Sequence, residues 1–276
     1  MSEPMHILSL GAGVQSSTLA LMAAAGEVTP MPTAAIFADT GAEPRRVYDW
    51  LAWLEERLPF PVHRVMWKEG ITVGMERTIA SGGRFVTPPF YTSTPDGKRE
   101  GQVRRQCTRE YKIQPIERKV RELLGLAKGQ RGPRHVAVVT WQGISTDEIQ
   151  RARKGIEGWQ QFRYPLIEGR MSRQDCLAWM ADRGFPTPPK SACIWCPYHD
   201  ARAWREMRDH DPESWAEAVR VDGLIRDIHE RGVGGITQRL YVHRSLVPLA
   251  EVDLSTPADH GQTDLFEQEC EGMCGL

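Results

Sequence analysis

The sequence predicts an α/β fold, a mostly parallel sheet flanked by helices, followed by a smaller helical, cysteine-bearing C-terminal portion. Three observations predict it. Short apolar runs alternate with amphipathic segments of helical period. A small-residue turn joins the first apolar run to the first helix. After Arg153 the composition shifts towards helical segments, prolines and cysteines. The expected division is residues 1–160 as one domain and 161–276 as the other.

Taken in order, His6 to Leu10 is a buried strand ending in glycines, and Ser16 to Ala25 reads as a helix. Pro32 to Ala38 gives a second strand leading into Asp39-Thr40-Gly41. Arg45 to Arg57 carries Val47, Trp50, Leu51 and Leu54 at helical spacing, and Val62 to Met66 is a third strand. Alternating strands and helices imply crossover connections, and place ligands at the carboxyl ends of the strands. Residues 82–106 interrupt the pattern with Gly82-Gly83, Pro88-Pro89 and Thr94-Pro95-Asp96-Gly97, and read as a long loop. A helix is expected from Arg109 to Leu124 and a strand from His135 to Thr140. Ser172 with Asp175 forms a capping box for a helix ending near Arg183. Pro186 to Pro189 form a stiff linker, and Asp211-Pro212 opens a helix reaching about Arg231.

Charged residues make up 26% of the 276-residue chain and the formal net charge is −1, so no whole-molecule field recruits nucleic acid or an anionic membrane. No segment approaches the roughly 18 apolar residues of a membrane helix, and no secretory leader is evident, so a cytoplasmic location is expected. In a reducing compartment the six cysteines argue for metal or redox chemistry rather than disulfides.

Gly11-Ala12-Gly13-Val14-Gln15-Ser16-Ser17 sits at the junction of strand and helix, after Ser9 near the strand's end. Small residues let the backbone close around an anion, and the helix start offers N–H groups and positive dipole. The third glycine of a Rossmann fingerprint and the Gly-Lys-Ser/Thr of a Walker loop are both absent. The segment resembles the Ser-Gly-Gly-x-Asp-Ser loop of the PP-loop ATP pyrophosphatases, a superfamily that includes the sulfonucleotide reductases. Gly11 stands at its first serine, Ala12 and Gly13 at the glycines, Gln15 at the aspartate and Ser16 at the last serine. Asp39-Thr40-Gly41 is similar to the Asp-Thr-Gly segment of phosphoadenylyl-sulfate reductases. Arg105-Gln106-Cys107-Thr108-Arg109-Glu110-Tyr111-Lys112 resembles their Arg-x-Cys segment, most closely that of the ATP pyrophosphatase of DNA phosphorothioation systems. Gly143 to Arg151 is similar to a Gly-x-Arg-x-x-Glu-Ser-x-x-Arg segment, with Ser145 at its first arginine.

The resemblance implies an adenine nucleotide α-hydrolase-like fold over the first domain. It also implies ATP with Mg²⁺ at Ser9, Gly11, Ala12, Gly13, Gln15, Ser16, Ser17, Asp39, Thr40, Gly41, Gly143 and Arg151. Ser16, Arg109 and Lys112 are the expected catalytic groups. Between Arg84 and Lys112 seven basic residues face three acidic ones, which suits a phosphate, sulfate or nucleic-acid substrate.

Cys193-Ile194-Trp195-Cys196 has the spacing at which two thiolates chelate one metal centre. By the same resemblance Cys107 is a third ligand for a 4Fe–4S cluster, whose fourth ligand is Cys270 or Cys274 or is absent; Zn²⁺ would be served equally well. Cys176, beside Leu177 and Trp179, reads as core. The implied activity is cleavage of ATP to AMP and pyrophosphate, activating a nucleic acid or nucleobase for sulfur transfer from a sulfur-donor protein. Two alternatives remain open: a sulfonucleotide reductase using Cys274 in the tail Cys274-Gly275-Leu276, and a zinc-containing nucleotide-binding or nucleobase-modifying protein.

Overall fold

The computed structural model describes residues 3–94, 99–155, 157–255 and 259. Among the described residues, eight strands and eight α-helices follow in chain order: β1 Met5–Leu10, α1 Val14–Ala24, β2 Ala34–Asp39, α2 Arg45–Glu55, β3 Val62–Met66, α3 Ile71–Ser81, β4 Tyr91–Ser93 and β5 Arg99–Gln102. After them come α4 Gln114–Leu123, β6 Val138–Gln142, β7 Gln160–Arg163, α5 Pro165–Glu168, α6 Arg173–Asp182, α7 Ala201–His210, α8 Pro212–Arg226 and β8 Arg239–Tyr241. No described helix is long and apolar enough to cross a membrane.

The chain forms two compact units, each discontinuous in sequence. The first comprises residues 1–39, 45–66 and 113–191; the second comprises 40–44, 67–112 and 192–276. This partition differs from the expected division at 160, because residues 161–191 build on the parallel sheet while 67–112 associate with the C-terminal residues.

The first unit holds a five-stranded sheet in the order β3-β2-β1-β6-β7, with every pairing parallel. Alternate residues of its strands feed opposite faces, as the pleat requires. Leu8, Leu10, Ala35, Phe37, Val139 and Trp141 join one apolar cluster with α1, α2 and α6. Ile7, Ala34, Ile36, Ala38 and Val138 join another with Ile116 and Val120 of α4. Burial on both faces explains the near-continuous apolar runs in these strands. Helix α1 is buried almost all round, and its Trp50 neighbour donates an indole N–H to Ser17 Oγ at 2.9 Å. Cys176 is fully buried in this core, which pushes its thiol up to about 12. Helix α6 starts on the expected capping box, Ser172 with Asp175. Strand β7, falling in the portion expected to be helical, completes the sheet; its four residues lack an apolar run.

The second unit carries an antiparallel sheet, β5-β4-β8, whose β4 and β5 fall in residues 82–106, read from the sequence as loop, and whose β8 falls in the portion expected to be helical. Trp195, Trp204, Phe90 and Leu240 are among the buried residues of its core. Asp222 on α8, 1% exposed, accepts from Val242 N at 2.9 Å and Leu249 N at 2.9 Å, and pairs with Arg226. Burial raises its carboxyl above the ordinary range, against the pull of those donors. Asp222→Ala leaves two buried N–H groups without an acceptor and is expected to cost about 2–4 kcal/mol. Asp222→Asn, which keeps one acceptor, is expected to cost less; urea unfolding of the two variants decides it.

Candidate functional site

The loop after β1 lies at the carboxyl end of the first unit's sheet. Strands β2 and β3 follow outward on one side of β1, and β6 and β7 on the other, so the strand order reverses between β1 and β6. Such a switch point is where open α/β sheets hold ligands. Gly11 to Gly13 follow β1 there, and Gly143 to Arg151 follow β6.

Ala12 is fully buried and adopts φ 58°, a left-handed conformation that an L residue reaches at a cost. The turn brings Gly11 N to donate to Ser16 Oγ at 3.1 Å. Ser16 Oγ in turn donates to Gly13 O at 3.3 Å. Gly13 is the N-cap of α1 and contributes no side-chain cap, so the first N–H groups of the helix keep no intrahelical partner. No acidic residue occupies that first turn. Ser17 has its N–H on Gly13 O at 3.0 Å, and its Oγ accepts from Trp50 Nε1 at 2.9 Å. Ser9 sits in register with Ile36 and Gln142 at the end of β1.

Gly143 fixes the loop against β6. A Cβ added there would lie 2.7 Å from Ser16 Cα and 2.8 Å from Ser16 N, closer than any side chain tolerates. Gln15 Nε2 reaches Glu148 Oε2 at 3.3 Å and Ser145 Oγ at 3.4 Å. Glu148, 8% exposed, is ion-paired with Arg151 on the 3₁₀ turn Thr146–Arg151. Burial raises the Glu148 carboxyl, with Arg151 opposing the shift. Asp39, at the carboxyl end of β2, accepts from Tyr48 Oη at 2.8 Å.

A second constellation lies within the second unit. Thr40, Cys107, Lys112, Cys193 and Cys196 line one small cavity, together with Arg105, Tyr111 and Trp195. Thr40 is buried, and its Oγ1 lies 3.5 Å from Cys193 Sγ. Gly41, at φ 68°, turns the chain after it. Ile194 N donates to Ala42 O at 2.7 Å and Cys196 N to Cys193 O at 2.9 Å, which holds the cysteine turn. His199 closes it, its Nε2 being 2.9 Å from Cys193 O. Lys112 Nζ is 3.6 Å from Glu43, whose side chain is 1% exposed. Arg109 is exposed. A π-helix, Thr108–Ile113, carries Arg109, Tyr111 and Lys112 where an ordinary helix was expected.

Cys107, Cys193 and Cys196 thus share a cavity. Among the described residues, however, no group of three or more His, Cys, Asp or Glu side chains is arranged to hold a metal ion. Cys270 and Cys274 lie outside the described residues. Arg105, Glu148 and Trp195 were inside segments singled out by sequence but were not assigned to a site. Tyr111, in the same segment as Arg105 and likewise unassigned, has its hydroxyl against Gly74.

No family model matches the sequence, and no curated protein matches it. A similar solved structure is that of phosphoadenylyl-sulfate (PAPS) reductase from Candida auris in its phosphate complex. Its TM-score is 0.44 at 14% identity, covering 68% of this chain and 76% of that chain.

Two outcomes follow for the first unit. Gly143→Ala is expected to lose about 2–3 kcal/mol of stability, since backbone rather than a movable side chain must yield; an unchanged urea midpoint would refute the close approach. Glu148 favours the folded state most below the ordinary glutamate range, and that contribution fades as pH rises through its elevated value. Glu148→Gln is therefore expected to gain stability relative to the parent between about pH 4 and pH 7. Paired melts at the two pH values measure the gain.

Proposed function

We propose that this protein is a PP-loop type enzyme that binds ATP at Gly11–Ser17 and cleaves it to AMP and pyrophosphate. The cleavage activates an acceptor for sulfur transfer. The observation that carries the reading is the loop's place at the switch point between β1 and β6. There it is already closed around an oxygen, Ser16 Oγ. The departing pyrophosphate would take the N–H groups of Val14, Gln15 and Ser16 and the positive end of α1. These donors need no reorganisation, because Gly143 holds Ser16 in place.

Asp39 and Gly143 would border the nucleotide, following the resemblance of their segments. Arg151 is neutralised by Glu148 and would contribute orientation more than net charge. Mg²⁺ would arrive on the phosphates and neutralise them. The loop offers it no carboxylate of its own, because Gln15 stands at that position and donates to Glu148. Lys112, Arg109 and Arg104 give the second unit its cationic residues for an anionic acceptor, a nucleobase in a nucleic acid or a related nucleotide. A 4Fe–4S cluster or Zn²⁺ would draw on Cys107, Cys193, Cys196 and a tail cysteine. The three described thiols have the right donor chemistry but do not converge into a metal-holding set, so no step is assigned to such a group.

Pyrophosphate release from ATP tests the reading directly. A Cβ at Gly13 meets only Ser191 Cβ, at 3.9 Å, so Gly13→Val is expected to fold and to obstruct the anion. Its nucleotide affinity is expected to drop by at least ~10-fold, as when a preorganised donor set is lost. Gln15→Ala is expected to lose less, since its side chain faces Glu148 and Ser145. Equal loss in both, by calorimetric titration, would sink the assignment.

A further inference from the structure

The thiol cavity of the second unit combines three features that nucleotide binding leaves unexplained. Cys193 Sγ sits within hydrogen-bonding reach of Thr40 Oγ1, so the hydroxyl can donate to the thiolate and stabilise it. Arg105 lines the same cavity, and its Nη1 is buried without a hydrogen-bond partner among the described residues. A buried guanidinium N–H calls for an acceptor, preferably an anionic one. The remaining wall includes Ile71, Pro88 and Trp195, which exclude water and favour a small, polarisable guest.

A soft nucleophile and a hard cation lining one cavity define a substrate with matching ends, a polarisable sulfur joined to an oxyanion. We propose that this cavity binds a sulfane-sulfur oxyanion of the thiosulfate class, with Arg105 holding the sulfonate end and Cys193 accepting the outer sulfur. The Cys193 thiolate attacks the sulfane sulfur and supplies the electron pair of the new S–S bond. The old S–S bond breaks, and sulfite leaves with its pair. One thiolate and one thiosulfate become one persulfide anion and one sulfite, with no outside oxidant or reductant. Sulfite is the leaving group, and its developing charge is what Arg105 would stabilise. This inference rests on the sulfur-transfer reading and supplies its sulfur source at an atom.

The test uses the full chain, reduced, desalted under argon and treated with thiosulfate in the absence of nucleotide. The expected result is one added sulfur per chain, mapped by peptide mass to Cys193, with an equal yield of sulfite. Cys193→Ser is expected to abolish both. Arg105→Gln is expected to lower the loading efficiency by at least ~10-fold, chiefly through KM, with partial recovery in Arg105→Lys. Thr40→Val is expected to slow loading at unchanged KM. Sulfur on Cys107 or Cys196, loading indifferent to Arg105→Gln, or bound sulfate and thiosulfate without adduct would each overturn the proposal. So would iron and sulfide at cluster stoichiometry with thiols closed to alkylation. ATP binding measured on the same preparations separates failure here from failure of the nucleotide reading, and confirms that the variants fold.

Discussion

The backbone of Gly143 approaches that of Ser16 too closely to admit even one methyl group between them. Parallel pairing of β1 with β6 delivers both residues to the same edge of the sheet. The contact then fixes how the start of α1 stands against the segment leaving β6. The left-handed turn at Ala12, the closure of Gly11 N on Ser16 Oγ and the uncapped helix start all lie within a few residues of it. A glycine at 143 is therefore demanded by space. Its backbone does not enter the left-handed region, so conformational freedom is not the reason.

Electrostatics around the loop follow from the same arrangement. Glu148 is buried next to Gln15, and its charge is opposed by desolvation and supported by Arg151. A carboxylate at position 15 would stand beside that buried acid and add like-charge repulsion. Glutamine keeps the length for a contact and contributes a donor instead. Gln15 and Ser145, two of the residues that differ from the segments they resemble, are hydrogen-bonded to one another and so form one adjustment.

In the second unit the Thr40–Pro44 segment works as a brace. Thr40 O accepts from Ile71 N at 2.8 Å and Thr40 Oγ1 meets Cys193 Sγ, while Ala42 O accepts from Ile194 N. Gly70, at φ 88°, permits this, since a Cβ there would lie 2.9 Å from Thr40 O. The cysteine turn is consequently held from the side as well as along its own length. That explains how a short loop with few regular hydrogen bonds can present its thiols to one cavity.

Local chemistry in the sequence was enough to specify the parallel strands β1, β2 and β3, the buried helix α1, the capping box at Ser172 and the core role of Cys176. Each depends on side-chain period, a cap or an apolar neighbourhood, all of which are written within a few residues. The motifs also set out which residues belong to the candidate loop. Tertiary structure alone decided the rest. Strand β7 and the β4-β5-β8 sheet carry weak local patterns and exist because partners distant in sequence complete their ladders. Ser17 belongs by motif to the loop, and its Oγ accepts from Trp50 on another helix. Thr40 belongs by motif to the nucleotide segment, yet its hydroxyl meets a cysteine 153 residues away. No local rule relates such residues, because the contact is set by how separate segments pack and not by the preferences of either one.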